Sequence, residues 1–516
     1  MIKKKNTTYI KNLYILILGV FTSLSLPPYH YWIINFFTFS LIFIFLIKNK
    51  SQSIKAFFLY GCLFGFGYFI SSLYWIPLSL LYDDNFKIFI PFAILLIPLF
   101  LSLFYGFAFL IFKLFLKSKI IIVNILIFSS ILGLFEFIRG NILSGFPWNL
   151  FAYSFSEFLE FIQVTSLIGI YSFNMVLITI FCAPSILYLD RQKKDLLGFY
   201  LIIVIVICNY LYGSLEINKF RTLKTEILNS EINVLSTSIP VERFYKNVDD
   251  EEILLKLIKL SKTRPNTNAI FIWPEGIIPN INLTSLKNQY GYLFSKFFSQ
   301  NQIVVLGINN YEIQNEKPLY YNSLSVIDNE ANVKYKYYKN KLVPFGEFLP
   351  LESVLSKIGL KTLTNNYQSY SEGMERKVFN LDEDNKIKVL PLICYEIIYS
   401  GKLHSEEDYN FILNISEDGW FGNSIGPYQH FSHSIFRSVE YGKYTLRSSN
   451  NGISAIVDPT GSILSRINID KEGIISIKEI VNVDNTFFST YGNKIYFLII
   501  LLYIFLIFSF KKTKNE

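Results

Sequence analysis

The sequence predicts a polytopic α-helical membrane domain of about eight spans joined to an α/β domain. Three observations carry this. Mean hydropathy is +0.35, and charged residues are only 17% of the 516-residue chain, against ~25% in soluble domains. Long apolar runs crowd the chain as far as residue 215. Beyond them, short β-rich runs alternate with helical patterns up to residue 490.

A span needs ~20 apolar residues. Candidate spans cover 9–26, 33–47, 56–81, 88–116, 120–138, 161–189 and 196–213, with a last one at 495–510. The second is short and must tilt or extend. The first could instead be a cleaved signal peptide with Lys3, Lys4 and Lys5 as its basic start. No Ala-x-Ala site closes it and more spans follow, so it reads as a span.

Loop charge sets the orientation. Lys3–Lys5, then Lys48, Lys50 and Lys55, then Lys117 and Lys119, then Arg191, Lys193 and Lys194, and finally Lys511, Lys512 and Lys514 fall on one side. The opposite loops, 27–29, 82–85 and 140–149, carry almost no Lys or Arg. The lysine side is therefore expected in the cytoplasm, and the α/β part outside. The domains expected are 1–215 (membrane), 216–490 (catalytic) and 491–516 (last span and cytoplasmic tail). The net charge of +8 is absorbed by this topology. No basic stripe with interleaved aromatics points to nucleic acid.

In the outer part, strands are expected at 232–238, 269–273, 303–308, 323–327, 388–393, 411–415 and 453–457. Several are continuously apolar, as in strands covered on both faces. Asp249 is placed to cap a helix over 250–262, and 286–300 is a second helix. A short polar stretch covers 381–388.

Of the four cysteines, Cys62, Cys182 and Cys208 lie in apolar runs, and only Cys394 falls in the polar half. No disulfide can form within that half, and no Cys/His metal pattern exists. Three apolar strand patterns end in polar groups: Glu275; Cys394-Tyr395-Glu396; and Asn414, Ser416 and Asp418. Ligands of α/β folds sit outside the carboxyl ends of strands, which places Glu275 and Cys394 around one crevice. Cys394 is a candidate nucleophile, with a plain buried cysteine as the competing reading. Its base could be His430 or a carboxylate. His430 and His433 fall on a helix, with surface or capping roles expected. Lys339 is not distinguished locally from neighbouring lysines. The Pro/Gly-bounded run 342–350 carries one acid, Glu347, and reads as a packed loop.

These segments together resemble the nitrilase superfamily. The matching pieces are Ile272-Trp273-Pro274-Glu275, Lys339-Asn340-Lys341-Leu342-Val343-Pro344-Phe345-Gly346-Glu347 and Pro391-Leu392-Ile393-Cys394-Tyr395-Glu396. The closer resemblance is to its membrane branch, the apolipoprotein N-acyltransferase family. Asp418-Gly419-Trp420-Phe421-Gly422, Gln429-His430-Phe431, Leu446-Arg447-Ser448-Ser449-Asn450-Asn451-Gly452, Glu136-Phe137-Ile138-Arg139-Gly140 and Gly145-Phe146-Pro147-Trp148 carry it. Departures occur at Val241, where Gln is usual, at Tyr245, where Trp is expected, and at Ser416-Glu417-Asp418-Gly419, where Ser-Asn-Asp-Ala is usual.

The resemblance implies a nitrilase-like αββα sandwich and a catalytic triad of Glu275 (base), Lys339 and Cys394 (nucleophile). Lys339 and a backbone N–H near Tyr395 would hold the oxyanion. Glu347 and Glu396 would be second acids that orient Lys339 or the leaving group. Tyr245, Trp148, Trp420 and Phe421 are expected to line the substrate path, Trp148 as an interfacial aromatic. The implied reaction moves an acyl chain from a phospholipid to the α-amine of a diacylglyceryl-cysteine apolipoprotein through a Cys394 thioester, without metal or cofactor. The implied location is the bacterial inner membrane, multi-pass, with the catalytic domain on the periplasmic side.

Two other readings compete. A membrane-tethered nitrilase-type amidohydrolase would share the triad, but an anchor needs one span rather than about eight. A multi-span transporter or receptor should carry a buried charge cluster in its spans, whereas Glu136 and Arg139 are placed at a span end.

Overall fold

Apolar runs fold as helices here because lipid offers backbone groups no partner, so each span must satisfy its own. The computed structural model describes residues 2–246, 248–314, 316–358, 362, 369–382 and 387–511. Lys512, Lys514 and residues 383–386 of the polar stretch lie outside them. Among the described residues, six helices are long and apolar enough to cross a membrane: Ile54–Ser72, Lys87–Phe115, Ile121–Asn141, Thr165–Tyr188, Lys193–Thr222 and Lys494–Lys511. Tyr9–Ser23 and Ile34–Lys48 are shorter apolar helices.

Three boundaries differ from expectation. The span expected at 56–81 stops at Ser72, and a tighter turn covers Ile76–Tyr82. Pro77 lies in the first turn of that segment, where its missing N–H costs no internal hydrogen bond. The span expected at 161–189 breaks at Gly169, whose φ is 71°. The N–H of Ile170 there donates to Glu440 Oε1 at 2.8 Å. The helix expected to end near 213 runs to Thr222, opened by a reciprocal cap between Gln192 and Asp195.

Lysine-bearing ends of the bundle meet one another. Lys11 Nζ donates to Asn49 (2.9 Å), Lys48 Nζ to Tyr188 Oη (3.2 Å) and Lys194 Nζ to the Phe510 carbonyl (2.9 Å). The lysine-poor loops instead meet the α/β part. Tyr82 Oη donates to the Gly419 carbonyl (2.8 Å), and Trp148 Nε1 to Gln429 Oε1 (2.9 Å).

The α/β part holds twelve strands among the described residues: β1 (Thr225–Ser236), β2 (Ala269–Ile272), β3 (Gln302–Gln314), β4 (Lys317–Ile327), β5 (Val333–Tyr338), β6 (Phe379–Asn380), β7 (Lys388–Ile393), β8 (Phe411–Glu417), β9 (Tyr444–Asn450), β10 (Ser454–Val457), β11 (Ile463–Ile467) and β12 (Gly473–Val481). They form two six-stranded sheets, ordered β12-β1-β2-β3-β4-β5 and β11-β10-β9-β8-β7-β6. Strands β1, β2 and β3 are parallel in the first sheet, and β7, β8 and β9 in the second. One apolar core lies between the sheets, around Val234, Ile272, Ile393 and Ile415. A second lies under the helices Asp250–Ser261 and Leu283–Phe297. Asp249 caps the first helix by accepting from the N–H of Glu251 and Glu252. Asn282 caps the second, which starts three residues earlier than the expected 286.

Helix Gly426–Tyr441 covers the second sheet and is buried on nearly every face. Its residues Phe431, Ile435 and Phe436 share a core with membrane-helix side chains such as Phe181 and Phe39. His430 and His433 are therefore buried, not at the surface or in caps as expected. The layers run helix, sheet, sheet, helix, the nitrilase-like sandwich that the resemblance implied. Strands β5, β6, β9, β11 and β12 were not expected from the sequence. In β9 every residue is buried although most are polar, so no apolar run marks it.

Candidate active site

Strand direction assembles the site. Glu275 follows β2 and Cys394 follows β7, at the carboxyl ends of parallel strands. Strand β5 is antiparallel to β4, which is antiparallel to β3. Two reversals leave β5 running with β3, so Lys339, just past β5, reaches the same end. The first sheet supplies the carboxylate and the lysine, and the second supplies the thiol.

Glu275 is 6% exposed. Its Oε1 accepts from Asn322 Nδ2 (2.7 Å) and Lys339 Nζ (3.3 Å), and its Oε2 from the Glu417 backbone N–H (2.9 Å). Strand β3 must pass close under this turn. A Cβ on Gly307 would lie 2.5 Å from Glu275 Cα, so only glycine fits there. Lys339 also donates to Glu347 Oε1 (3.0 Å), and Asn322 Nδ2 donates to that same oxygen (2.7 Å). Glu347 Oε2 accepts from the Val343 N–H (2.9 Å).

Burial alone would lower the Lys339 ammonium, but the carboxylates of Glu275 and Glu347 hold it well above its usual range. Burial raises the Glu347 carboxyl against the pull of Lys339. Burial also pushes the Cys394 thiol well up; Glu275 adds to this, while Lys339 opposes it. Cys394 thus rests as a thiol rather than a thiolate.

Cys394 opens a tight turn, Cys394–Ile398, with its own φ at 48°. Glu396 anchors that turn. Its Oε1 accepts from Tyr337 Oη (2.6 Å), the N–H groups of Asn340 (3.0 Å) and Lys341 (3.2 Å), and Arg376 Nη2 (3.2 Å). Its Oε2 accepts from the Ile393 N–H (2.8 Å). Glu396 therefore ties the Lys339 loop to the Cys394 turn through backbone, whereas Glu347 touches the ammonium itself.

Behind the thiol, His430 Nδ1 lies 2.9 Å from Asp418 Oδ1, and Arg447 Nη2 lies 2.8 Å from Asp418 Oδ2. Burial and the Arg447 charge lower the His430 imidazole, which stays neutral. Among the described residues, donor atoms of Cys394, Asp418 and His430 lie within 4.8 Å of one another, a spacing that could hold a metal ion. Arg447 already supplies the positive charge on Asp418, so a second cation would meet repulsion there.

The description "apolipoprotein N-acyltransferase N-terminal domain" matches residues 18–183, and "carbon-nitrogen hydrolase" matches residues 239–483. The apolipoprotein N-acyltransferase of Rickettsia prowazekii is 34% identical over 506 residues, covering 95% of this chain and 96% of that protein. This chain belongs to the apolipoprotein N-acyltransferase family. The family member from Rhodopseudomonas palustris is 30% identical, covering 89% of this chain and 88% of its own. Among solved structures, a nitrilase-superfamily amidase of Nesterenkonia AN1 is similar over 50% of this chain and 92% of its own, at 11% identity and a TM-score of 0.32.

Within this member of the apolipoprotein N-acyltransferase family, the expected residues divide. Glu275, Lys339 and Glu347 share one hydrogen-bonded cluster, and Cys394 feels the charges of Glu275 and Lys339. The Tyr395 side chain turns away, with its Oη on the Gly145 carbonyl at 3.0 Å. Tyr245 and Trp420 meet edge to face at 6.3 Å, with Tyr82 of the membrane part against Trp420 at 6.0 Å. Trp148 is 3% exposed, so it is no interfacial aromatic. It stacks on His430 at 5.2 Å, and Phe421 packs against both rings. Sequence reasoning missed Asn322, Arg243 and the side chain of Glu417. Arg243 and Glu417 form a buried ion pair beside Glu275. The available signal was a side-chain amide in the middle of a β-rich run, as Asn322 is in β4.

Proposed function

We propose that this protein transfers an acyl chain from a phospholipid to the α-amine of a diacylglyceryl-cysteine apolipoprotein. One observation carries the mechanism: buried Lys339 bridges Glu275 and Glu347 at the strand ends where Cys394 opens its turn. Glu275 takes the thiol proton as sulfur attacks the ester carbonyl. Lys339 and the Tyr395 N–H stabilise the oxyanion. The C–O bond breaks, Glu275 returns the proton to the lysophospholipid oxygen, and a thioester remains on Cys394. The amine then attacks the thioester, the C–S bond breaks, and Glu275 carries the amine proton to the departing sulfur. Two easier steps replace one hard transfer.

The same reading places the chain in the bacterial inner membrane with the catalytic domain on the periplasmic side. Lysine placement supports it, since the lysine-bearing helix ends gather opposite the α/β part. Tyr245 and Trp420, half-buried beside Tyr82, are suited to line the acyl path. The domain limits proposed are 1–222, 223–490 and 491–516, the first moved by the helix ending at Thr222.

The test is mass spectrometry of the protein after incubation with phospholipid, then with a diacylglyceryl lipopeptide. An acyl group on the Cys394 peptide that passes to the lipopeptide amine is expected. Release of free acid without an amine acceptor would favour hydrolysis instead, and acylation surviving Cys394→Ala would remove the assignment.

A further inference from the structure

The sequence placed Glu136 and Arg139 at a span end and gave them no task. They are 1% and 2% exposed, on the Ile121–Asn141 helix. A buried ion pair on a membrane helix is costly to hold, so its partners matter. Glu136 Oε1 accepts from Tyr105 Oη at 2.5 Å, and Oε2 accepts from Arg139 Nη2. Arg139 Nη1 donates onward to the Phe146 carbonyl, and the Phe146 N–H returns to the Arg139 carbonyl at 2.9 Å. The pair therefore clamps the loop that leaves the helix. Gly145 turns this loop with φ at 72°, and a Cβ there would lie 2.5 Å from the Gly140 carbonyl oxygen.

The clamped loop presents its carbonyls to the catalytic domain. Ser144 O accepts from Tyr399 Oη at 2.8 Å, and Gly145 O accepts from Tyr395 Oη at 3.0 Å. These tyrosines sit one and five residues after Cys394. Cys394 itself holds a left-handed φ of 48°. A non-glycine residue keeps that conformation only when its surroundings impose it. Glu396 holds the turn from the side of the Lys339 loop. The membrane loop holds it from the opposite domain.

We infer that the Glu136–Arg139 pair and Tyr399 are positioning residues through which the membrane domain fixes the nucleophile turn. The multi-span domain then does more than place the site near lipid. This inference rests on the reading of Cys394 as nucleophile.

The test uses the full chain in lipid nanodiscs. The variants are Glu136→Gln/Arg139→Met, which removes both charges together, and Tyr399→Phe, which deletes one hydroxyl outside the membrane. Two rates are read at the Cys394 peptide by mass spectrometry: acylation by a dipalmitoyl phospholipid, and alkylation by iodoacetamide. Both should fall about tenfold, the scale of one buried hydrogen bond, with the phospholipid KM unchanged and the loss in kcat. Wild-type rates in both variants, even with a lowered Tm, would overturn the inference and leave the pair a stability element. If wild-type protein forms no acyl-enzyme, the acyl-transfer reading fails, and alkylation alone then decides the positioning role.

Discussion

Lys339 Nζ lies 3.3 Å from Glu275 Oε1, and both side chains are buried. The ammonium also contacts Glu347, so one cation stands between two carboxylates. Without it, the carboxylates would face each other in a dry site, where one would take up a proton. Under the proposed mechanism, Lys339→Met is therefore expected to disarm Glu275 as base and to remove an oxyanion donor. Acyl-Cys394 formation should fall by about 10²–10³-fold, the scale of a lost oxyanion donor. Single-turnover mass spectrometry measures this, and a loss under threefold would count against the assigned role.

The raised Cys394 thiol gives a pH prediction. Its folded value lies above that of a free thiol, so the neutral form dominates at pH 7 and the thiolate appears only as pH rises. In the proposed mechanism, Glu275 removes the proton during attack. In Glu275→Gln that route is gone, so acylation should be nearly absent at pH 7 and recover partly in alkaline buffer. A Glu275→Gln profile that overlays the wild type would show that another group is the base.

Arg243 and Glu417 join the strand ends below Glu275. Arg243 also donates to the carbonyls of Gly276 (3.0 Å) and Pro240 (3.0 Å), and Asn450 Nδ2 to Glu417 Oε2 (2.7 Å). Removing one member leaves an uncompensated buried charge, a cost of about 3–5 kcal/mol. Arg243→Met should therefore lower Tm sharply, while Arg243→Met/Glu417→Gln should recover much of it. Thermal unfolding in detergent reads this; equal Tm for single and double variants would mean that the two charges are not coupled.

The Cys394, Asp418 and His430 donors lie close together, with Arg447 already on the carboxylate. Activity should survive dialysis against EDTA unchanged. Loss of acyl transfer that zinc restores would show that a metal ion, not Arg447, completes this cluster.

Much of the fold was legible because its signals are local. Apolar runs marked the membrane helices, and lysine spacing ordered their ends. Continuous apolar strands such as β7 and β8 announced a doubly covered sheet, and Asp249 announced its helix. The chemistry also left a local mark at Glu275 and Cys394, where apolar strands end in a reactive group. Strands β5 and β9 left none, since Lys336, Arg447 and Asn450 break the apolar pattern.

The opening cluster shows where sequence stops. By itself the sequence determined the residue types, the helix-forming membrane half and the strand ends that carry Glu275 and Cys394. The family resemblance singled out Lys339 among its neighbours; only the tertiary structure decided that this lysine bridges Glu275 and Glu347, that Asn322 binds both carboxylates, and that Glu136 and Arg139 reach toward Cys394 through a loop. These relationships join residues up to hundreds of positions apart, as Tyr395 meets Gly145 across 250 residues. Hydrophobic periodicity records which face of a strand or helix is buried. It does not record which polar group will be waiting there, because that depends on how two sheets and a membrane bundle close on one another.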